Sequence, residues 1–175
     1  MKTLYLLRHG QAIVKIPFTD LKDFDRTLTF QGKEEVEKTA KFIEENVPLP
    51  IKILCSSAKR TKETCHIIES KFSPQNYETV YHDSFYHASQ QEYLEEIKKT
   101  ENNYDNLLLI GHNPTLTQFL FSLTKKEDQN WSILSTFHTM PTAGLGILKF
   151  HITKWENIIF NLGLLINIID PHKLQ

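Results

Sequence analysis

The sequence predicts an α/β domain: a three-layer α/β/α sandwich with a mostly parallel central sheet. Three observations point there. Short apolar runs alternate with amphipathic helical periods along the 175 residues, the pattern of strand–helix–strand crossovers. The run Asn106 to Ile110 is almost continuously apolar, as a strand covered on both faces must be. Hydrophobic residues make up 40% of the chain and charged ones 23%, enough to bury a core and too apolar for a disordered chain.

The first strand is expected over Thr3 to Leu7. A helix follows over Gly32 to Asn46, where Val36, Ala40, Ile43 and Val47 recur at helical spacing, and Pro48 and Pro50 stop it. Ile51 to Cys55 reads as the second strand, and Thr61, Cys65, Ile68 and Phe72 give the next helix its apolar stripe. A third strand is expected over Glu78 to Tyr81. Ser89 with Glu92 forms a capping box that opens a helix burying Tyr93, Leu94 and Ile97. After the Asn106–Ile110 strand, Asn113 is placed to cap a helix with Pro114 in its first turn and Leu116, Phe119, Leu120 and Leu123 inward. Lys125 to Gly144 is the least regular stretch. Leu145 to Phe150 and Asn157 to Ile166 look like a terminal strand pair. No repeat or linker divides residues 1–175, so one domain is expected.

Charge and composition narrow the function. Twenty Lys and Arg against twenty-one Asp and Glu leave a net charge of −1, without the cationic excess that nucleic-acid binding exploits. Two cysteines, Cys55 and Cys65, cannot build a disulfide framework and read as core residues of a reducing compartment. The apolar start is cut short by Arg8 and His9, and no run is long enough to span a bilayer, so a cytoplasmic chain without membrane attachment is expected. The sequon Asn130-Trp131-Ser132 would matter only in a secretory pathway.

Each of three strands ends in a polar cluster that folding does not require: Arg8-His9-Gly10, Ser56-Ser57 with Arg60, and Gly111-His112-Asn113. Ligand crevices of parallel sheets lie beyond the carboxyl ends of the strands, so Arg8, His9, Arg60 and His112 should converge. Two guanidinium forks suit phosphate oxygens, and two helix N-termini add dipoles of the correct sign. A histidine among cations is held neutral, leaving a ring nitrogen free to attack phosphorus, while the second can donate to a non-bridging oxygen. With no glycine-rich phosphate loop and no carboxylate cluster, the residues point to metal-independent phosphoryl transfer without a cofactor. His82, His87 and His138 have no metal-ligand spacing and read as solvated.

These segments resemble the histidine phosphatase superfamily, the group that includes phosphoglycerate mutases. Leu7-Arg8-His9-Gly10-Gln11-Ala12 resembles its signature, and Asp25-Arg26-Thr27-Leu28-Thr29 with Gly32 its second segment. Ser56-Ser57-Ala58-Lys59-Arg60-Thr61 with Thr64, Gly111-His112-Asn113-Pro114 and Pro141-Thr142-Ala143-Gly144 follow in the family's order. The mix looks most like the SixA-type phosphohistidine phosphatases. The resemblance implies a phosphoglycerate mutase-like fold, His9 as nucleophile, and Arg8, Arg60 and His112 around the phosphate, with Gln11 and Ser57 assisting substrate binding. Ser57 is expected to cap the Arg60 helix or orient the pocket, and Asp25 and Arg26 to tie down the loop after the first strand. Asp83 stands roughly where relatives carry a glutamate acid, and reads equally as a turn residue. A phosphohistidine releases an imidazole of pKa ~6.5, far less basic than an alkoxide, so a poor acid position favours phosphoramidates. The implied partner is a phosphohistidine protein such as a phosphotransfer domain. A small-molecule phosphatase, a mutase and a non-catalytic phosphoprotein-binding module are the other readings.

Overall fold

The computed structural model describes residues 1–14, 20–126, 130, 134 and 138–174. Trp131 and Ser132 of the sequon lie outside them. Six strands form one sheet: β1 (Lys2–Arg8), β2 (Ile51–Ser56), β3 (Tyr77–His82), β4 (Asn106–Gly111), β5 (Leu145–Phe150) and β6 (Leu164–Ile169), in the order β3-β2-β4-β1-β5-β6. The four on the β3 side run parallel, β5 runs antiparallel to β1, and β6, antiparallel to β5, returns to the common direction, giving the mostly parallel sheet that was expected. Helices α1 (Phe30–Asn46) and α2 (Lys59–Glu69) cover one face, and α3 (Gln90–Lys98) and α4 (Thr115–Leu123) the other. None of the described helices is long and apolar enough to cross a membrane.

Strand alternation divides the core in two. Leu4, Leu6, Leu107 and Leu109 pack toward α3 and α4, while Tyr5, Leu7, Leu108 and Ile110 pack toward α1 and α2. At the amino-terminal end of the sheet the buried Lys2 ammonium donates to the carbonyls of Asn102 and Tyr104 and to Asp105. That satisfies all three of its protons.

Three elements depart from expectation. The second strand of the terminal pair is Leu164–Ile169, because Trp155–Asn157 form a 3-10 turn and Asn161 adopts a left-handed φ of 59°. Residues 161–163 there donate to the last carbonyls of α4 instead of extending a strand. Helix α2 is preceded by Ala58, which has no side-chain acceptor, so Ser57 is not its cap. Asn113 does not cap α4 either, since Pro114 holds that position. Its amide nitrogen donates to Thr139 Oγ1 at 2.7 Å and the Met140 carbonyl at 3.0 Å, and its oxygen accepts from Thr117 at 2.8 Å. Asn113 therefore latches α4 to the late loop. The capping box of Ser89 and Glu92 forms as expected.

The end of β1 is seated by two glycines. A Cβ on Gly10 would stand 2.6 Å from the Gly32 carbonyl, and one on Gly32 would collide with the Gln11 backbone. Thr29 caps α1 by accepting from Gly32 N at 2.9 Å, and its own N–H donates to the Gln11 carbonyl. This close approach brings α1 against the residue after His9. Gly32→Ala is expected to cost about 1–3 kcal/mol or more through overpacking, read as a lower urea midpoint with an unchanged m-value.

Candidate active site

Beyond the carboxyl ends of β1, β2 and β4 lies a cleft of about 440 Å³ lined by Arg8, His9, Gln11, Asp23, Arg26, Arg60 and His112, among others. Strand pairing puts it there: β1 and β4 are parallel neighbours with Arg8 opposite Gly111, so His9 and His112 leave the sheet side by side. Their ring centroids are 5.2 Å apart.

His9 has one consistent tautomer. Its Nδ1 lies 2.7 Å from the Gly10 carbonyl, which can only accept, so Nδ1 carries the proton. Nε2 is then a lone pair, and Arg60 Nε donates to it at 3.2 Å. Burial pushes the His9 pKa down to about 3, helped by the guanidinium charges of Arg60, Arg8 and Arg26 and opposed by the Gly10 carbonyl. The ring is a neutral base with its free nitrogen in the cleft.

His112 is fixed by Ser56, whose Oγ lies 2.8 Å from Nε2 and is itself approached by the Ala58 N–H at 3.5 Å. Among the described residues His112 Nε2 is the one acceptor bonded to the Ser56 hydroxyl, so the hydroxyl gives its proton to Nε2 and Nδ1 carries the ring proton. Burial, then the charges of His9 and Arg60, push the His112 pKa down to about 2. Among the described residues its buried Nδ1 has no hydrogen-bond partner, and neither has Arg8 Nε. Arg8 is anchored by Nη1 to the Met140 carbonyl at 2.7 Å, the same carbonyl that Asn113 grips.

The loop before α1 supplies the remaining charges. In a 3-10 turn over Asp23–Asp25, Asp23 Oδ2 accepts from Tyr86 at 2.6 Å and Arg60 Nη2 at 3.2 Å, and Oδ1 accepts from Arg26 Nη1 at 2.8 Å. The Tyr86 and Arg26 hydrogen bonds hold this carboxyl well below the usual carboxylate range. Arg26 also donates to the Ile13 carbonyl at 2.6 Å, tying down the loop that follows β1 as expected of it.

Of the residues singled out from sequence, Arg8, His9, Gln11, Arg60 and His112 meet in the cleft. Gln11 lines it with its side-chain oxygen accepting from Thr29 at 2.7 Å. Ser57 is buried outside the lining, and its neighbour Ser56 makes the contact to His112. Asp83 is exposed at the start of a 3-10 turn and outside the lining, while Tyr86 at the end of that turn reaches Asp23. Asp23 was the residue missed. Its signal was the Asp-x-x-Arg spacing to Arg26, which one helical turn converts into an ion pair.

Residues 4–85 match the family model described as histidine phosphatase superfamily (branch 1). An uncharacterised protein of Mycobacterium leprae is 26% identical over 153 residues, 87% of this chain and 91% of that protein. Among solved structures, a candidate phosphohistidine phosphatase SixA of Agrobacterium tumefaciens aligns with a TM-score of 0.74 at 26% identity, over 96% of this chain and 97% of that one. A second candidate SixA, from Nakamurella, aligns with a TM-score of 0.80 at 20% identity over 96% and 95%. A protein histidine phosphatase SixA complexed with tungstate aligns with a TM-score of 0.75 at 17% identity over 99% of both chains. The fold is phosphoglycerate mutase-like.

Two buried neutral histidines carry a pH signature. Unfolded, both bind protons near pH 6.5, whereas folded they do so near 3 and 2, so protons favour the unfolded chain. Stability is expected to fall as the pH drops from about 6.5 toward about 3, less steeply in His112→Asn. Urea titrations at pH 7 and pH 5 measure this. Imidazole ¹⁵N spectra are expected to show both rings neutral at pH 5.

Proposed function

The chain belongs to the histidine phosphatase superfamily, branch 1, and from that premise we propose that it hydrolyses a phosphoryl group through a phosphohistidine on His9, with protein phosphohistidine as the substrate class. The observation that carries this reading is that two buried donors without partners among the described residues, Arg8 Nε and His112 Nδ1, belong to residues that line the cleft together with His9. Buried polar atoms in native proteins are nearly always satisfied, and a tetrahedral oxyanion seated against His9 would satisfy both.

In the proposed reaction Arg60 moves its Nε donor from His9 to a phosphoryl oxygen, and Arg8 and His112 donate to others. His9 Nε2 attacks phosphorus, the bond to the leaving group breaks, and charge on the equatorial oxygens meets donors already in place. Neutral His9 needs no deprotonation first, because its Nδ1 proton is held by Gly10. Water then attacks the phosphohistidine in line and His9 leaves. The ionised Asp23 and the outlying Asp83 supply no proton to an alkoxide, which supports a leaving group as stable as imidazole.

Purified protein is to be offered a phosphohistidine protein, p-nitrophenyl phosphate and a phosphosugar in EDTA. Turnover of the first with chelator present is expected, falling about a thousandfold or more in His9→Ala. Acid-labile, alkali-stable phosphate should be trapped on His9. Activity that survives the substitution sinks the mechanism. Asp83→Asn is expected to stay within about threefold of the parent enzyme, where a general acid would cost at least a hundredfold.

A further inference from the structure

Asp23 presents a problem for a pocket built only to bind phosphate. The cleft gathers three guanidinium groups, and a carboxylate among them lowers its attraction for an anion. Yet the carboxylate is built in from three elements. Arg26 reaches it from its own loop, Arg60 from α2 and Tyr86 from the turn after β3, while the Asp23 backbone carbonyl also accepts from Arg60 Nη1 at 2.7 Å. Arg60 in turn donates to His9 Nε2, so one guanidinium group separates the carboxylate from the attacking nitrogen. Oδ2 has two donors and Oδ1 only one, and the side chain is 41% exposed. Among the described residues one acceptor site of Oδ1 is therefore left without a donor, on a partly exposed side chain that lines the cleft.

We infer that the Asp23 carboxylate selects imidazole leaving groups by accepting a hydrogen bond from the N–H of the ring nitrogen remote from phosphorus. This rests on the phosphohistidine reading above and assigns that site its specificity residue. A phosphoimidazole takes a proton from solvent on its far nitrogen and becomes cationic there. A fixed carboxylate beside that nitrogen stabilises the protonated ring. When His9 Nε2 bonds to phosphorus, the P–N bond breaks and its electron pair stays on the departing nitrogen. The ring leaves as neutral imidazole, with the far nitrogen still carrying its proton. No proton has to reach the departing atom. An alkyl ester needs its proton on the leaving oxygen, where an ionised Asp23 has none to give. With no other carboxyl group among the described lining residues, the carboxylate thus sets a choice of substrate.

The test compares Asp23→Asn and Asp23→Ser with the parent enzyme on free phosphohistidine and on p-nitrophenyl phosphate, whose leaving group has no such nitrogen. Either variant suffices if the other does not fold. The expected result is that kcat/KM for phosphohistidine falls about tenfold or more beyond any fall for p-nitrophenyl phosphate. Equal losses on both substrates would mean that Asp23 only orients Arg60, and would overturn the inference. If the parent enzyme turns over p-nitrophenyl phosphate but not phosphohistidine, the substrate reading fails with it. If turnover of both persists in His9→Ala, the phosphohistidine mechanism itself fails.

Discussion

The parallel pairing of β1 with β4 is the constraint on which the site depends. Because Arg8 stands opposite Gly111, the next residue of each strand is a histidine, and the two rings leave the sheet together. A slip of one residue would send one ring to the opposite face. The pairing is secured by packing: Leu4, Leu6, Leu107 and Leu109 fill one core and Tyr5, Leu7, Leu108 and Ile110 the other, so neither strand can shift without exposing apolar surface. Small residues finish the placement, with Gly10 and Gly32 letting α1 approach and Gly111 clearing Tyr93.

Electrostatics then sets the chemical state that geometry has prepared. Histidines buried beside arginines lose the competition for protons, and one accepting carbonyl at Gly10 decides which nitrogen keeps its hydrogen. Ser56 does the same for His112. The result is one ring nitrogen with its lone pair in the cleft and one ring N–H, made from the same residue type by opposite hydrogen-bond partners. Arg60 connects them to the loop charges, since its three kinds of nitrogen reach His9, the Asp23 backbone and the Asp23 carboxylate.

Much of this was legible in the sequence, for physical reasons. The succession of strands and helices along the chain was visible because buried strands must be apolar and crossover helices must be amphipathic. Arg8, His9, Arg60 and His112 stood out because each polar cluster followed a strand end directly. Asp23 did not, because it sits in a loop whose conformation depends on Arg26, Tyr86 and Arg60, and only the first is its neighbour in sequence. The choice between Ser56 and Ser57 turned on which face of β2 each residue leaves, which an unaligned pair of serines does not reveal. The end of the chain misled for a similar reason: its apolar residues cover the end of α4 before they become a strand.

The sheet also has a second polar end. Lys2 is buried at the amino-terminal edge, bound to Asn102, Tyr104 and Asp105, at the far end of β1 from His9. One short strand thus carries an anchor at its start and a cleft histidine just past its finish, with Thr3, Leu4, Tyr5, Leu6, Leu7 and Arg8 between them. Among the described residues the cleft lining shares no residue with the Lys2 contacts. Sequence drift there can retune what the cleft accepts while the mooring of the strand is left alone, so the two properties are free to evolve at different rates.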